Sequence, residues 1–287
     1  MDRTASVTAA HAGTTDIGGD LTVKRLGFGA MRITGPGIWG DPPDREQAKN
    51  VLRRVVELEV NFIDTADSYG PEVSETLIAE ALHPYPEDLV IATKGGLIRT
   101  GPNQWPVDGR PEHLRRACEG SLRRLKLDQI PLYQFHRPDP SLPIEDSIGA
   151  LVDMKNEGKI RHIGVCNVTE PELRRAQALT PVVSVQNRYN VTDRKSESMI
   201  DLCDQEQMVF LPWAPILDTE HNTAVADVAV RHKATPRQVV LAWLMARSPS
   251  VLPIPGTGSL SHLEENVGAA GLSLTAEEVA LLNRSGR

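Results

Sequence analysis

The chain has 287 residues, 40% of them hydrophobic and 24% charged, so it can form one large barrel or two ordinary domains. Its formal charge of −7 reflects 38 acidic side chains against 31 lysines and arginines, without the basic block that nucleic-acid binding requires. No apolar run approaches the roughly 18 residues of a membrane helix. The three cysteines include no Cys-x-x-Cys pair, which argues against a disulfide framework or a zinc site.

Residues 1–19 are mostly small or polar and contain no apolar stretch that could act as a secretory signal. We expect a flexible leader over residues 1–19 and a single domain over residues 20–287. The protein is expected to be cytoplasmic and to have no metal, nucleic-acid or membrane partner. Its oligomeric state does not follow from the sequence.

Short apolar runs alternate with amphipathic stretches from Lys24 onward, a pattern typical of βα units on a parallel sheet. Eight such units would have about 36 residues each, which suits a (β/α)8 barrel. We expect this single-domain α/β fold to carry an N-terminal β-hairpin as a cap. The strands are predicted at residues 26–30, 61–64, 89–93, 130–136, 160–165, 182–186, 208–213 and 251–254.

A doubly wound sheet fits less well than a barrel. Such a sheet would place a phosphate loop with three glycines after its first strand, but Gly27 and Gly29 are followed by Arg32 and Ile33. These two glycines are therefore interpreted as a tight exit from the strand.

Helices are predicted between the strands from the spacing of apolar residues. Residues 44–60 should form one helix with Asp44 as its N-cap and Gln47 in a capping-box pattern, and residues 111–125 another that begins at Pro111. Long loops are expected at residues 34–43, 95–110 and 217–222, with Trp39, Trp105 and Trp213 in or beside them. All three loops would open on the carboxyl face, where barrel enzymes place their active sites.

Four polar residues lie at or just after predicted strand ends: Asp64, Tyr69, Lys94 and His136. Taken singly, each has an ordinary structural explanation, such as a helix cap or an ion pair. In a barrel, however, successive strand ends converge on one opening, so the four side chains should meet.

The chemistry of this set suits the reduction of a carbonyl group. A free tyrosine titrates near pH 10, and an adjacent ammonium is expected to lower the pKa of its phenol. Lys94 would supply that charge for Tyr69, and Asp64 would keep the buried lysine ionised. His136 could orient a carbonyl oxygen or share the proton.

These residues resemble the aldo-keto reductases, a family of NAD(P)H-dependent (β/α)8 barrels, from about Lys24 onward. The likeness rests on Asp-Thr-Ala-Asp-Ser-Tyr-Gly at residues 64–70, Thr-Lys-Gly at 93–95 and Gln-Phe-His-Arg-Pro-Asp at 134–139. The resemblance implies that Tyr69 is the proton donor and that Asp64, Lys94 and His136 are its catalytic partners.

The same resemblance implies a nicotinamide site. Gly-Val-Cys-Asn at residues 164–167 is similar to a family segment whose asparagine binds the nicotinamide carboxamide; Gln186 stands where a glutamine does likewise, and Trp213 where an aromatic residue stacks on the ring. Cys166 replaces the usual serine. The further cofactor contacts expected here are Gly29, Ala30, Met31, Asp64, Ala214, Pro215 and Ile216.

Residues 254–259, Ile-Pro-Gly-Thr-Gly-Ser, resemble the family's adenosine phosphate segment. Small residues expose main-chain N–H groups, Ser259 can cap the next helix, and that helix N-terminus favours an anion. The residues expected in this part of the cofactor site are Gly256, Thr257, Ser259, His262, Glu265 and Asn266. Gly256 and His262 stand where many members have lysine and arginine, so the expected cofactor is NADPH, with NADH possible.

The N-terminal segment around residues 25–43 looks closest to bacterial members that include pyridoxal reductases. The expected substrate is a small pyridoxal-like, aromatic or sugar-like carbonyl, with Trp39 and Trp105 in its pocket. Two alternatives stay open: a Schiff-base aldolase that uses Lys94, and a redox-sensing regulatory subunit that binds nicotinamide.

Overall fold

The computed structural model describes residues 7–216 and 222–285. Its strands are β1 (Thr14–Ile17), β2 (Leu21–Lys24), β3 (Phe28–Gly29), β4 (Phe62–Asp64), β5 (Val90–Gly95), β6 (Ile130–Phe135), β7 (Ile160–Cys166), β8 (Val182–Gln186) and β9 (Val209–Phe210). Its α-helices are α1 (Arg45–Glu57), α2 (Val73–Leu82), α3 (Pro111–Leu125), α4 (Ile144–Asn156), α5 (Glu170–Gln177), α6 (Glu197–Gln205), α7 (Thr223–His232), α8 (Pro236–Arg247), α9 (Leu260–Gly268) and α10 (Ala276–Ser285). Short 3-10 helices cover Ala9–Ala12, Ala30–Ile33, Pro36–Ile38 and Ala269–Gly271.

Strands β3 to β9 form one parallel sheet in chain order, and an extended eighth segment closes it into a barrel. The closing segment bonds to β9 on one side, where the Leu252 N–H donates to Phe210 O at 2.9 Å. On the other side Gly27 donates to Pro253 O at 2.9 Å and Gly29 to Pro255 O at 3.4 Å. The predicted barrel is therefore confirmed.

The predicted eighth strand lies at the expected position, residues 251–254, but it does not form a regular hydrogen-bonded strand. Only an isolated bridge between Val251 and Phe210 is formed there. Pro253 and Pro255 have no N–H group, so this segment accepts hydrogen bonds but cannot complete a ladder.

The two helices predicted in detail form for the expected local reasons. Asp44 caps α1 by accepting from the Gln47 N–H at 2.9 Å, but the helix ends at Glu57 and not at residue 60, since Glu59 adopts a positive φ of 60°. Helix α3 has the predicted bounds. It ends where Lys126 takes the left-handed conformation.

The segment before the barrel is structured, so the predicted flexible leader is wrong for Ala9–Ala12 and β1. Ala9 is fully buried, and β1 pairs with β2 in an antiparallel hairpin. Ile17, Leu21 and Val23 of this hairpin pack in one cluster with residues near the amino ends of the barrel strands. Residues 1–6 lie outside the described part, and the role of the hairpin as a cap stays a prediction.

Asp20, in the hairpin turn, ties this segment to β7. Its carboxylate contacts Arg161 and His162, each at 2.6 Å. The hairpin is thus joined to the start of β7. The carboxyl ends of the strands with their following loops form an opening, here called the mouth. Among the described helices none is long and apolar enough to span a membrane.

Candidate active site and cofactor site

The four predicted catalytic residues, here called the tetrad, come together at the mouth. Asp64 ends β4, Lys94 lies next to the last residue of β5, and His136 directly follows β6. Tyr69 lies on the turn after β4, where its N–H donates to Ala66 O at 3.2 Å. All four side chains are buried, and the parallel register explains why residues far apart in the chain meet.

Lys94 is the centre of the tetrad. Its ammonium donates to Asp64 Oδ2 at 2.6 Å, Thr65 O at 2.9 Å and the Tyr69 hydroxyl oxygen at 3.3 Å. These contacts use all three of its donors. Burial lowers the pKa of Lys94, but the charge of Asp64, its hydrogen bond and the other neighbouring groups together outweigh burial, and the net shift is upward. A lysine held as an ammonium has no lone pair for a Schiff base, which argues against the aldolase alternative.

Asp64 is held through its second oxygen as well. Oδ1 accepts from Gln134 Nε2 at 3.0 Å and from Gln186 Nε2 at 2.9 Å. Gln134 is fully buried, and it was not among the predicted site residues. Gln134 lies in β6 two residues before His136, a spacing at which extended backbone places both side chains on one face, and this signal could have found it.

The phenol of Tyr69 behaves differently from the expectation. Burial raises its pKa to about 12, because the charge of Lys94 recovers only part of what the phenolate loses on leaving water. Lys94 acts in the expected direction, but burial has the larger effect and the charge of Asp64 adds to it, so the net shift is upward. Tyr69 keeps its proton at neutral pH, and its O–H remains available to a substrate.

His136 is neutral in this site. Burial lowers its pKa well below the ordinary value of 6.5, and the charges of Lys94 and Arg137 act in the same direction. Its ring lies 5.9 Å from the Tyr69 ring in a T-shaped arrangement. A neutral imidazole beside the phenol can orient a carbonyl oxygen by a hydrogen bond but holds no charge of its own.

The two predicted pocket tryptophans lie on the loops around Tyr69. The Trp105 ring meets the Tyr69 ring edge-on, with centroids 6.3 Å apart, and Trp39 is 37% exposed on the neighbouring loop. Both tryptophans lie against the guanidinium of Arg99, another residue that was not predicted.

The predicted nicotinamide residues form a second linked group. Asn167, at a positive φ of 58°, donates to His136 O and accepts from Trp213 Nε1, both at 3.0 Å. The Cys166 thiol lies 3.7 Å from Gln134 Oε1, and burial raises its pKa, so it stays protonated. Gln186 is the one residue that joins this group to Asp64 directly.

Gly29 and Gly256 bring two main chains into direct contact where the barrel closes. A Cβ on Gly29 would lie 2.6 Å from Ile254 O, and a Cβ on Gly256 would lie 2.5 Å from Gly29 O. The space beside these two main chains, here called the cradle, would be filled by any larger side chain. Ala30 next to it is buried and Met31 is half-buried.

The predicted adenosine segment leads into α9. Ser259 is the N-cap and accepts from the His262 N–H at 3.4 Å, while the Ser259 N–H donates to Thr257 Oγ1 at 3.0 Å. Asn266 is 1% exposed, yet neither of its side-chain polar atoms has a partner within the described part of the chain. An orphaned buried carboxamide next to an open cap fits a nucleotide, which would supply the missing partners.

The remaining predicted contacts border these groups. Ala214, at a positive φ of 52°, accepts at its carbonyl oxygen from Asn190. Pro215 is buried, while Ile216 and Glu265 are half-buried. The third predicted loop lies outside the described residues apart from Asn222, which caps α7. The described residues contain no cluster of His, Cys, Asp and Glu that could hold a metal ion.

Comparisons with known proteins agree on one family. The Aldo/keto reductase family profile matches residues 25–286. An uncharacterized oxidoreductase of Schizosaccharomyces pombe is 47% identical over 293 residues, covering 100% of this chain and 95% of that protein. Pyridoxine 4-dehydrogenase of Escherichia coli is 40% identical over 274 residues, covering 92% and 96%. A Klebsiella pneumoniae aldo-keto reductase crystallised with NADPH has a TM-score of 0.80 and 25% identity, with 95% of each chain covered.

Proposed function

Since this chain belongs to the aldo/keto reductase family of NAD(P)H-dependent oxidoreductases, we propose that it reduces an aldehyde or ketone with a hydride from NADPH and a proton from Tyr69. The observation that supports this best is the contact between Lys94 Nζ and the Tyr69 oxygen at 3.3 Å, inside a buried and hydrogen-bonded set. The phenol accepts from the lysine there, which leaves its O–H free to donate.

The proton steps follow from the geometry of the tetrad. NADPH, when bound, would supply the hydride for the carbonyl carbon. Tyr69 gives its phenolic proton to the oxygen, which becomes the alcohol, and the phenolate left behind is stabilised by the ammonium of Lys94. Asp64 keeps that ammonium charged and fixed, and His136 orients the carbonyl oxygen. Water then returns the proton to Tyr69.

Two groups of residues would hold the cofactor. Asn167, Gln186 and Trp213 would receive the nicotinamide, and the cradle of Gly29 and Gly256 would let the diphosphate approach the main chain. The N-terminus of α9 with Ser259, His262 and Asn266 would hold the adenosine end and its 2′-phosphate.

The proposed substrate is a flat aldehyde such as pyridoxal or another aromatic carbonyl, with sugar-like aldehydes second. Trp39 and Trp105 stand beside Tyr69 and offer aromatic surface to such a ring. The similarity to a pyridoxine 4-dehydrogenase supports the same choice.

The test is oxidation of NADPH and of NADH by the purified protein with pyridoxal, substituted benzaldehydes and sugar aldehydes. Turnover with an aromatic aldehyde, with NADPH favoured over NADH, is the expected result. Binding of NADPH without turnover on any aldehyde would contradict the proposal and favour a redox-sensing regulatory subunit. Borohydride trapping of a carbonyl on Lys94 would instead identify an aldolase.

A further inference from the structure

We propose that Arg99 is the positioning residue that assembles the substrate wall of the mouth and thereby gives the enzyme its preference for aromatic carbonyls. This inference rests on the proposed function for its substrate class. The physical arrangement behind it is independent of that function.

Arg99 donates all of its N–H groups to main-chain carbonyl oxygens. A guanidinium has five N–H donors in a rigid planar fork. The acceptors are Ile38 O at 2.6 Å, Ser68 O at 2.8 Å, Gln104 O at 2.9 Å, Gly37 O at 3.0 Å and Gly101 O at 3.2 Å.

These acceptors come from three separate segments of the mouth. One segment follows β3, the second is the turn after β4, and the third is the loop after β5 that contains Arg99 itself. The three segments also meet in a small apolar cluster of Ile38, Ala66 and Tyr69, with Met31 and Trp105 packed against it. The relative positions of surface loops depend strongly on polar cross-links of this kind. Arg99 therefore fixes three segments to one another with a single side chain.

The positions of the acceptors in sequence are informative. Ile38 precedes Trp39, Ser68 precedes Tyr69, and Gln104 precedes Trp105, so Arg99 bonds the peptide group directly before each of these three aromatic residues. Holding that peptide plane fixes the position of the next Cα, from which the aromatic side chain projects. The proton donor and both candidate wall residues thus share one anchor.

The rings themselves also contact the guanidinium. Arg99 Cζ lies 3.6 Å from the centroid of the Trp105 ring and 5.6 Å from that of Trp39. Trp105 in turn meets the Tyr69 ring. A guanidinium stacks on an indole face and bonds in its own plane at the same time, which an ammonium cannot do.

Arg99 has no carboxylate partner among the ion pairs of the described residues, in contrast to most arginines on the outer helices. The expected role is therefore geometric. With Arg99 in place, the tryptophan rings form a preorganised wall that a flat aldehyde contacts, while a small aliphatic aldehyde needs only the tetrad.

The experiment compares Arg99→Ala and Arg99→Lys with the wild type on pyridoxal and on propanal. Arg123→Ala is the matched control, because Arg123 is exposed on α3, away from the mouth. We expect KM for pyridoxal to rise roughly tenfold or more in both Arg99 variants, and KM for propanal to stay within about twofold. Because Ser68 O also positions Tyr69, kcat should fall for both aldehydes. An equal rise in KM for both aldehydes, or no rise for either, would overturn the proposal.

A readout without turnover separates this inference from the proposed function. Acrylamide quenching of tryptophan fluorescence should increase in Arg99→Ala and Arg99→Lys but not in Arg123→Ala, and methylguanidinium should restore the KM for pyridoxal in Arg99→Ala. If the wild type reduces no aldehyde, the proposed function fails while quenching still tests the anchor. Unchanged quenching in a folded Arg99→Lys protein would contradict the proposed anchoring role of Arg99.

Discussion

The tetrad and the adenosine end of the cofactor site differ in how complete they are without a ligand. At the tetrad, every donor of Lys94 and both oxygens of Asp64 are satisfied by the chain itself. At the proposed adenosine end, Asn266 is buried without a partner in the described part of the chain, and the first turn of α9 has no lysine or arginine. The Asp64–Lys94 pair is thus preassembled, and within the tetrad only His136 Nδ1 is buried without a partner among the described residues, whereas the proposed adenosine end would be completed by what binds there.

This difference has an energetic meaning. Removing one partner of a buried ion pair leaves an uncompensated charge, so substitution of either Asp64 or Lys94 should be strongly destabilising. An unpaired buried carboxamide costs about 1–3 kcal/mol until a ligand satisfies it, so the adenosine end gains stability on binding. Variants at the two ends should therefore change different quantities, and the following predictions test that separation from the largest effect to the smallest.

Tyr69→Phe should break the preassembled end most strongly. We expect kcat to fall about 10²–10⁴-fold because the proton donor is lost, with little change in NADPH affinity. Steady-state kinetics and fluorescence titration of NADPH would measure both. Tyr85→Phe is a suitable control, since that phenol donates only to Leu125 O at 2.7 Å. Full turnover in Tyr69→Phe would rule out the assigned donor.

Gln134→Leu tests the support behind Asp64. The change removes one of two amide donors to Oδ1, and a hydrogen bond to a charged group contributes about 1.5–3 kcal/mol. We expect kcat/KM to fall about ten- to hundredfold, mostly in kcat. Gln129→Leu removes an exposed amide and should change neither parameter. Equal kinetics for the two variants would show that Gln186 alone suffices.

Asn266→Leu should affect the adenosine end with opposite signs in the free and bound protein. The free protein should melt at a higher temperature, because an unpaired buried amide is replaced by an apolar group. KM for NADPH should rise about tenfold, more than kcat changes. Thermal melts with and without NADPH would measure both effects. A lower melting temperature without ligand would mean that the carboxamide is already satisfied.

His262→Arg should sharpen the choice of cofactor at the same end. An added exposed charge beside a 2′-phosphate is worth about 0.2–1 kcal/mol, so the preference for NADPH over NADH should rise about two- to fivefold. The gain should shrink at high salt, because exposed charges are screened. A parallel improvement for NADH, which lacks this phosphate, would place His262 elsewhere in the site.

The pH dependence of kcat should show no acid limb near pH 6.5. Burial lowers the pKa of His136 well below this value, so the imidazole stays neutral as pH falls through its ordinary range. Burial raises the pKa of Tyr69 to about 12, so Tyr69 keeps its proton even at the alkaline pH at which an ordinary phenol loses its own. A limb near pH 6.5 that disappears in His136→Gln would contradict this assignment.

The barrel and the meeting of the tetrad could be predicted because both follow from periodicity and from the convergence of parallel strands. The anchor role of Arg99 could not, since all five of its acceptors are main-chain groups without any sequence signal. The direction in which the pKa of Tyr69 shifts could not be predicted from the sequence either. It depends on how deeply the phenol is buried compared with how fully Asp64 neutralises Lys94.

The N-terminal prediction failed for a related reason. Residues 9–17 are too short and too polar to resemble a core element, yet Ala9 and Ile17 are fully buried against the rest of the chain. Contact with distant residues overrides local composition in such a segment.

The seam between β3 and the segment at residues 251–255 has a consequence for biosynthesis. The first barrel strand can complete its pairing only with the last, so during synthesis its edge stays open until nearly the whole chain has emerged. An unpaired strand edge is a template for association with other chains. Because β3 pairs over only Phe28 and Gly29, the exposed edge is short, which limits this hazard while the ribosome completes the chain.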